Sequence, residues 1–298
     1  MKKYTLLNCI NWRSLDNLPL QDADEFTYFV LPVSEAGSLL GINEVQEKKF
    51  VADVHGAGKK ATFSVAGGEQ NVANITSAVT LNRTAFVSAI AQHMEAFGYD
   101  GVTIDIENTA ISPEAMVAFF KELRTKLGTE AIIGCYTQPY QLNTVWAKVA
   151  EIKDYITWIS PMLYDYPNSV EQIKSTTAPW VAKVGKDKVL LGAAVNYDGT
   201  GFDEEEWPKA LDIVIAEGWA GVGIWQNNLY TQEYRDILRN KFAPALPTAT
   251  LNDVYYEVLK ISRDVNAQTK LELVEDIVWG AGTLSSRMNK LKVLLPNA

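Results

Sequence analysis

Residues 99–108 read Tyr-Asp-Gly-Val-Thr-Ile-Asp-Ile-Glu-Asn and alternate strictly between polar and apolar side chains. In a β-strand, side chains of one parity point the same way, so Thr103, Asp105 and Glu107 would share one face. Two carboxyl groups on one face are suited to acid–base catalysis. A surface strand with one wet face would show the same alternation. The surrounding elements must therefore decide between a catalytic strand and a structural one.

The rest of the chain alternates strand-like and helix-like patterns. Eight strands are predicted at 4–12, 26–33, 60–66, 99–108, 131–138, 155–164, 189–196 and 220–225. Helices are predicted at about 43–55, 82–97, 112–128, 144–153, 169–184, 203–217 and 232–242. Strands that alternate with helices indicate a parallel sheet with right-handed crossovers.

Eight such repeats match the size of a closed (β/α)8 TIM barrel. The alternative is a doubly wound open sheet, which usually carries a glycine-rich phosphate loop after its first strand. Residues 11–14 read Asn-Trp-Arg-Ser, which is no such loop. The sequence therefore favours the α/β class and the barrel.

The composition changes after the last predicted helix. We expect a catalytic barrel over residues 1–243, a proline-containing linker over 244–249 and a helical C-terminal extension over 250–298. The extension is too short to form much of a core of its own. It would either pack on the barrel or mediate self-association or docking to a larger assembly.

Composition limits the possible partners and cofactors. The chain has 298 residues and a formal net charge of −9, without a run of basic residues, so nucleic-acid binding is not expected. No stretch approaches the ~20 apolar residues of a membrane span. Two cysteines, Cys9 and Cys135, lie in strand-like runs and give no disulfide framework. The two histidines, His55 and His93, lie on predicted helices, so we expect no metal, no cofactor and no Ser-His-Asp site.

The N-terminus does not read as a signal peptide, because its apolar segment is broken at Asn8 and no small-residue cleavage site follows. We therefore expect a cytoplasmic location, or export by a non-classical route or within a secreted complex.

Active sites of (β/α)8 barrels lie at the C-terminal ends of the strands. The side chains at those predicted ends that could take part in catalysis or binding are Ser64, Asp105, Glu107, Tyr136, Gln138, Met162, Tyr164, Asp165, Asn196, Tyr197, Trp225 and Gln226. Aromatic rings could line a groove for sugar rings, and closely packed carboxyl groups shift one another's pKa in the way that acid catalysis at neutral pH requires.

Residues 100–107 resemble the D-G-x-D-x-D-x-E signature of glycoside hydrolase family 18, the chitinase family. Residues 63–68, Phe-Ser-Val-Ala-Gly-Gly, are similar to its S-x-G-G segment with one extra residue, and residues 162–165, Met-Leu-Tyr-Asp, match its M-x-Y-D. Trp225 falls where the family keeps a tryptophan at the end of the eighth strand. The matches keep the family's order and cover residues 4 to about 242.

The resemblance implies a substrate-assisted, retaining mechanism. Glu107 would be the general acid and base, and Asp105 would orient the acetamido group that attacks the anomeric carbon. Tyr164 would bind the acetamido group, Asp165 would help hold the distorted sugar, and Trp225 would floor the subsite. The further substrate-binding candidates are Tyr136, Gln138, Met162 and Asn196, and Thr103 and Ser64 would lie behind Asp105.

One position departs from the family's pattern, because Thr103 replaces its first aspartate. Thr103 can donate a hydrogen bond to Asp105 but cannot carry a negative charge, so we expect Asp105 to ionise more readily. The enzyme should be active, but slower or with a shifted acid limb. Lectin-like members of the family typically lose the general acid, whereas Glu107 is present here.

The resemblance implies a glycosidase that cleaves β-1,4-linked N-acetylglucosamine polymers. Chitin is the first candidate, and the short loops favour an open groove and endo action. Endo-β-N-acetylglucosaminidase activity on N-glycans and peptidoglycan hydrolysis are alternatives within the same chemistry. The alternative from another class is a carbohydrate-binding or scaffold subunit that does not cut.

Overall fold

The computed structural model describes residues 3–66, 72–107, 110–164, 170–195 and 201–242. The strands are β1 Tyr4–Ile10, β2 Glu25–Leu31, β3 Lys60–Ala66, β4 Gly101–Ile106, β5 Ile132–Thr137, β6 Trp158–Pro161, β7 Leu190–Ala194 and β8 Gly221–Trp225. The helices are α1 Glu44–Gly56, α2 Val72–Thr80, α3 Arg83–Phe97, α4 Pro113–Leu127, α5 Val149–Ile152, α6 Val170–Val184, α7 Glu206–Glu217 and α8 Gln232–Phe242.

The eight strands are parallel and lie in the order β6-β5-β4-β3-β2-β1-β8-β7. Single parallel bridges, Ile159 to Val189 and Met162 to Gly192, bring β6 against β7 and nearly close the sheet. Gly192 permits this approach, because a Cβ there would lie 2.3 Å from the Pro161 carbonyl oxygen. The predicted (β/α)8 barrel is confirmed.

The main hydrophobic core lies between the strands and the helices that surround them. Val102, Ile104 and Ile106 on β4 are fully buried members of this core. The opposite parity of β4, which carries Thr103 and Asp105, is buried as well. Both faces of a parallel barrel are covered. The apolar side chains of β4 therefore pack between the strands and the helices, and its polar side chains face the barrel interior.

Two predicted elements differ from those observed. Of the helix expected at 144–153 only the short α5 forms, and a 3-10 helix at Pro139–Asn143 precedes the expected range. The strand expected at 155–164 is limited to β6, because only Trp158–Pro161 pairs with β5. Helix α2, directly after the glycine pair at 67 and 68, was not predicted.

A buried polar cluster joins α1, α3 and the segment before β4. The Glu47 carboxylate accepts a hydrogen bond from Tyr99 Oη at 3.1 Å and pairs with His93 Nε2 at 2.6 Å. All three side chains are buried. His93 is therefore a helix-packing residue, whereas the other histidine, His55, lies at the surface against Asp100.

The chain divides at Phe242 into two units, and the second lies outside the described residues. The predicted linker at 244–249 and helical extension at 250–298 fall in that part. In the described ranges, no helix combines the length and apolar character needed to cross a membrane.

Candidate active site

The two carboxyl groups of the opening motif lie at the C-terminal end of β4. Asp105 is on the strand and is 3% exposed, and Glu107 follows one residue after the strand ends and is partly buried. Both line a cavity of about 180 Å³. Its other lining residues are Asn8, Phe29, Tyr136, Met162, Tyr164 and Trp225. This volume is several times the ~30 Å³ that a water molecule occupies in the liquid, so the cavity can receive part of a ligand.

Glu107 is held by Gln138, the residue that follows β5. The amide Nε2 of Gln138 donates a hydrogen bond to Glu107 Oε2 at 2.9 Å. Gln138 is positioned in turn by Gln141, whose Oε1 accepts from the Gln138 backbone N–H and from Thr137 Oγ1, both at 3.0 Å. One carboxyl oxygen of Glu107 is thus a hydrogen-bond acceptor in this arrangement, and Gln138 fixes the orientation of the carboxyl group at the cavity.

Aromatic rings form one wall of the cavity and continue to the protein surface. The ring centroids of Trp225 and Phe29 are 4.6 Å apart, and those of Phe29 and Trp12 are 6.4 Å apart, both edge to face. Trp12 is 61% exposed. A row that runs from a cavity to the surface offers apolar ring faces to a chain of sugars.

Tyr136 and Asn8 meet across the barrel interior. Asn8 Nδ2 donates to Tyr136 Oη at 2.6 Å and to the Ile224 carbonyl at 3.1 Å. Burial raises the pKa of Tyr136 well above its ordinary value, so its hydroxyl stays protonated. Tyr136 therefore presents a neutral hydroxyl near Asp105, its partner in the β4–β5 register.

Thr103 and Ser64 face each other in the β3–β4 register and are fully buried. Neither hydroxyl has a hydrogen-bond partner among the residues that the structure describes. The expected hydrogen bond from Thr103 to Asp105 is therefore not formed. Residues i and i+2 of a strand point the same way and lie almost 7 Å apart along it, beyond the reach of a threonine hydroxyl.

Most of the predicted site residues come together. Asp105, Glu107, Tyr136, Met162, Tyr164 and Trp225 line the cavity, and Gln138 contacts Glu107. Asp165 and Asn196 lie outside the described residues.

Three residues at the site were missed: Asn8, Phe29 and Trp12. Asn8 had a detectable signal, because it interrupts an otherwise apolar strand.

The part of the chain that the structure describes contains no group of three or more His, Cys, Asp or Glu side chains able to hold a metal ion.

A barrel of this kind, with paired carboxyl groups and aromatic rings at its mouth, is the arrangement of a glycoside hydrolase. The family model "Glycosyl hydrolases family 18" matches residues 33–200. The chain belongs to this family, and it is a glycosidase.

Solved structures share the fold at low sequence identity. A chitinase from Rhizomucor miehei (RmChi1) is 17% identical with a TM-score of 0.67, over 80% of this chain and 100% of that chain. A chitinase from Bacteroides thetaiotaomicron is 14% identical with a TM-score of 0.69, over 82% and 97%. The Bacillus cereus spore cortex-lytic enzyme SleL is 13% identical with a TM-score of 0.66, over 82% and 75%. A comparison with curated protein sequences gave no significant match.

Proposed function

We propose that the protein hydrolyses β-1,4-linked polymers of N-acetylglucosamine, chitin first, by a substrate-assisted retaining mechanism. The observation that carries this proposal is the placement of Asp105 and Glu107 on one side of β4, both lining a cavity with an aromatic wall. The family membership and the chitinases among the similar structures support it.

In the first step, Glu107 gives its proton to the glycosidic oxygen. The carbonyl oxygen of the substrate's 2-acetamido group attacks the anomeric carbon, and the bond to the leaving oxygen breaks with its electron pair on that oxygen. Asp105 accepts a hydrogen bond from the acetamido N–H and stabilises the positive charge of the oxazolinium ion. Water then attacks the anomeric carbon while the Glu107 carboxylate takes its proton, and the bond to the acetamido oxygen breaks with its electron pair returning to the acetamido group. General acid–base assistance of this kind typically contributes about 10²–10⁴-fold.

The other site residues bind and orient the sugar in this proposal. Tyr164 binds the acetamido group, Trp225 forms the floor of the subsite, and Tyr136 and Met162 complete its walls. Asp165 and Asn196, which lie outside the described residues, are proposed to hold the distorted sugar and its hydroxyls.

Two exposed aromatic residues support a polymeric substrate and endo action. Trp12 extends the ring row of Trp225 and Phe29, and Tyr140, 53% exposed, lies two residues after Gln138, which contacts Glu107. Aromatic rings beyond the cavity could contact further sugars of a substrate that continues past it. N-glycans and peptidoglycan also present N-acetylglucosamine, and they are the alternatives that the experiment must separate.

The test is activity on chitin, a chitin oligosaccharide, an N-glycoprotein and peptidoglycan, measured as released reducing ends or glycans. We expect the wild type to act best on chitin and its oligosaccharides, and Glu107→Gln to lose at least about 10²-fold. Glu114→Gln is the matched control and should retain activity. Glu114 is an exposed glutamate on α4 that pairs with Lys148. Equal turnover by wild type and Glu107→Gln would refute the proposed role of Glu107.

A further inference from the structure

A second carboxyl group lies inside the barrel, away from the mouth. Glu25, the first residue of β2, is fully buried. Its Oε2 accepts hydrogen bonds from Tyr4 Oη at 2.6 Å and Trp158 Nε1 at 3.2 Å, and its Oε1 accepts from Thr62 Oγ1 at 2.8 Å. Trp158 reaches the interior over Gly134, where a Cβ would collide with the indole ring.

Hydroxyl groups continue from Glu25 towards Asp105. Thr62 Oγ1 is 2.9 Å from Thr27 Oγ1, and Ser64 lies two residues further along β3 on the same face. Thr103 is opposite Ser64 and two residues before Asp105 on β4. We call Thr27, Thr62, Ser64 and Thr103 the hydroxyl column. The interior also contains an apolar cluster that includes Leu6, Leu190 and Ala194.

The upper part of the column needs a partner. The hydroxyls of Ser64 and Thr103 are fully buried and find no partner in the described part of the chain. A buried hydroxyl without a hydrogen bond is costly, and native structures satisfy such groups with ordered water where protein partners are missing. Two facing hydroxyls two residues before Asp105, at the position where the family places a second carboxyl group, form a polar site of the kind that binds water.

We propose that Glu25 is a positioning residue of the active site, coupled to Asp105 through the hydroxyl column and through water bound by Ser64 and Thr103. In this arrangement Glu25 supplies, from the bottom of the barrel, the second carboxyl group that Thr103 does not provide. The inference rests on the proposed function.

The charge of Glu25 changes near neutral pH. Burial raises the pKa of Glu25 to about 7, while the hydrogen bonds from Tyr4, Thr62 and Trp158 oppose the rise and Asp100 adds to it. Other titratable groups surround Glu25 and its neighbours. Asp24 raises the pKa of Tyr4, and Lys60 and His55 pair with Asp100. The negative charge of Glu25 contributes to the raised pKa of Tyr136.

The sign of the coupling follows from this titration. Above about pH 7 Glu25 is negative, and its charge opposes a further negative charge on the carboxyl groups at the mouth. The negative charge of Glu25 should therefore extend the alkaline side of the activity profile. Below about pH 6 Glu25 is neutral, and the glutamine variant should resemble the wild type.

The experiment compares pH profiles of kcat/KM on a soluble chitin oligosaccharide. We expect Glu25→Gln to move the alkaline limb to lower pH by about half to one pH unit, the shift that one charge produces over about 12–24 Å at an effective dielectric constant of about 20. At pH 5 its rate should stay within about twofold of the wild type.

Tyr4→Phe keeps the carboxyl group but removes a donor to its charged form, so it should move the limb the same way by less. In a Ser64→Ala/Thr103→Val background, Glu25→Gln should shift the limb by less than half as much.

Glu47→Gln is the matched control, because Glu47 is equally buried but lies among α1, α3 and Tyr99, and its profile should follow the wild type. Superimposable profiles for wild type, Glu25→Gln and Tyr4→Phe, from an active wild type, would overturn the role of Glu25 alone. An equal shift in Glu47→Gln would also overturn it. A wild type inactive on every glycan tested would overturn the proposed function and this role with it.

Discussion

Glu25 should make the stability of the barrel depend on pH in an unusual direction. Its carboxyl pKa is about 7 in the folded protein, against an ordinary value of 4.5, because burial disfavours its charged form. Between pH 4.5 and 7 the folded state therefore holds a proton that the unfolded state has lost, so stability falls as pH rises. The difference of 2.5 pKa units corresponds to about 3 kcal/mol. Most buried carboxyl groups that are ion-paired give the opposite slope.

Glu25→Gln removes this titration and keeps the shape of the side chain. The free energy of unfolding is measured by urea denaturation with tryptophan fluorescence from pH 4.5 to 8. The value for the variant minus the value for the wild type should increase by about 3 kcal/mol from the acid to the alkaline end of that range. At the acid end the two proteins should differ least. Tyr4→Phe, which removes a donor to the charged carboxyl, should extend the fall of stability to higher pH. A difference between Glu25→Gln and wild type that does not change with pH would refute the reasoning.

Three further predictions concern single positions. Thr103→Asp restores a second carboxyl group beside Asp105 and should move the acid limb of kcat/KM to higher pH, and an unchanged rate and profile would contradict this. Trp12→Ala removes the exposed end of the aromatic row and should raise KM for long chitin oligosaccharides by about 2–12-fold, with little change for short ones, in a chain-length series. His93→Ala leaves the buried Glu47 carboxyl group without one of its hydrogen-bond partners and should lower the free energy of unfolding by about 1–3 kcal/mol in the same urea assay, and an unchanged free energy of unfolding would contradict this.

Local patterns predicted much of the barrel. The alternation in β4 and the start of α4, where Ser112 caps the helix and Pro113 is its first residue, are local signals, because side-chain parity and helix capping act within a few residues. Helix α2 was missed because it follows a glycine pair that reads as a strand end and a loop. The sequence around α5 shows helical spacing, yet the chain forms a 3-10 turn in which Gln141 binds backbone and side-chain donors.

The carboxyl pair at the mouth was predictable for the same local reason, but its surroundings were not. Asn8 contacts Tyr136 from 128 positions away. Glu25 looks in sequence like an acidic residue at an exposed strand edge, and only closure of the barrel buries it against Trp158, 133 positions away. The missing Thr103–Asp105 hydrogen bond likewise depends on distances along the strand that residue types do not reveal.

The central proposal is substrate-assisted cleavage at Asp105 and Glu107, and the anomeric configuration of the first product tests it most directly. Proton NMR of a chitin oligosaccharide during the first minutes of digestion resolves the new reducing ends before they mutarotate. The proposal predicts the β-anomer, because the acetamido oxygen and then water attack the same carbon from opposite faces. Initial formation of the α-anomer, or no new reducing ends, would contradict it.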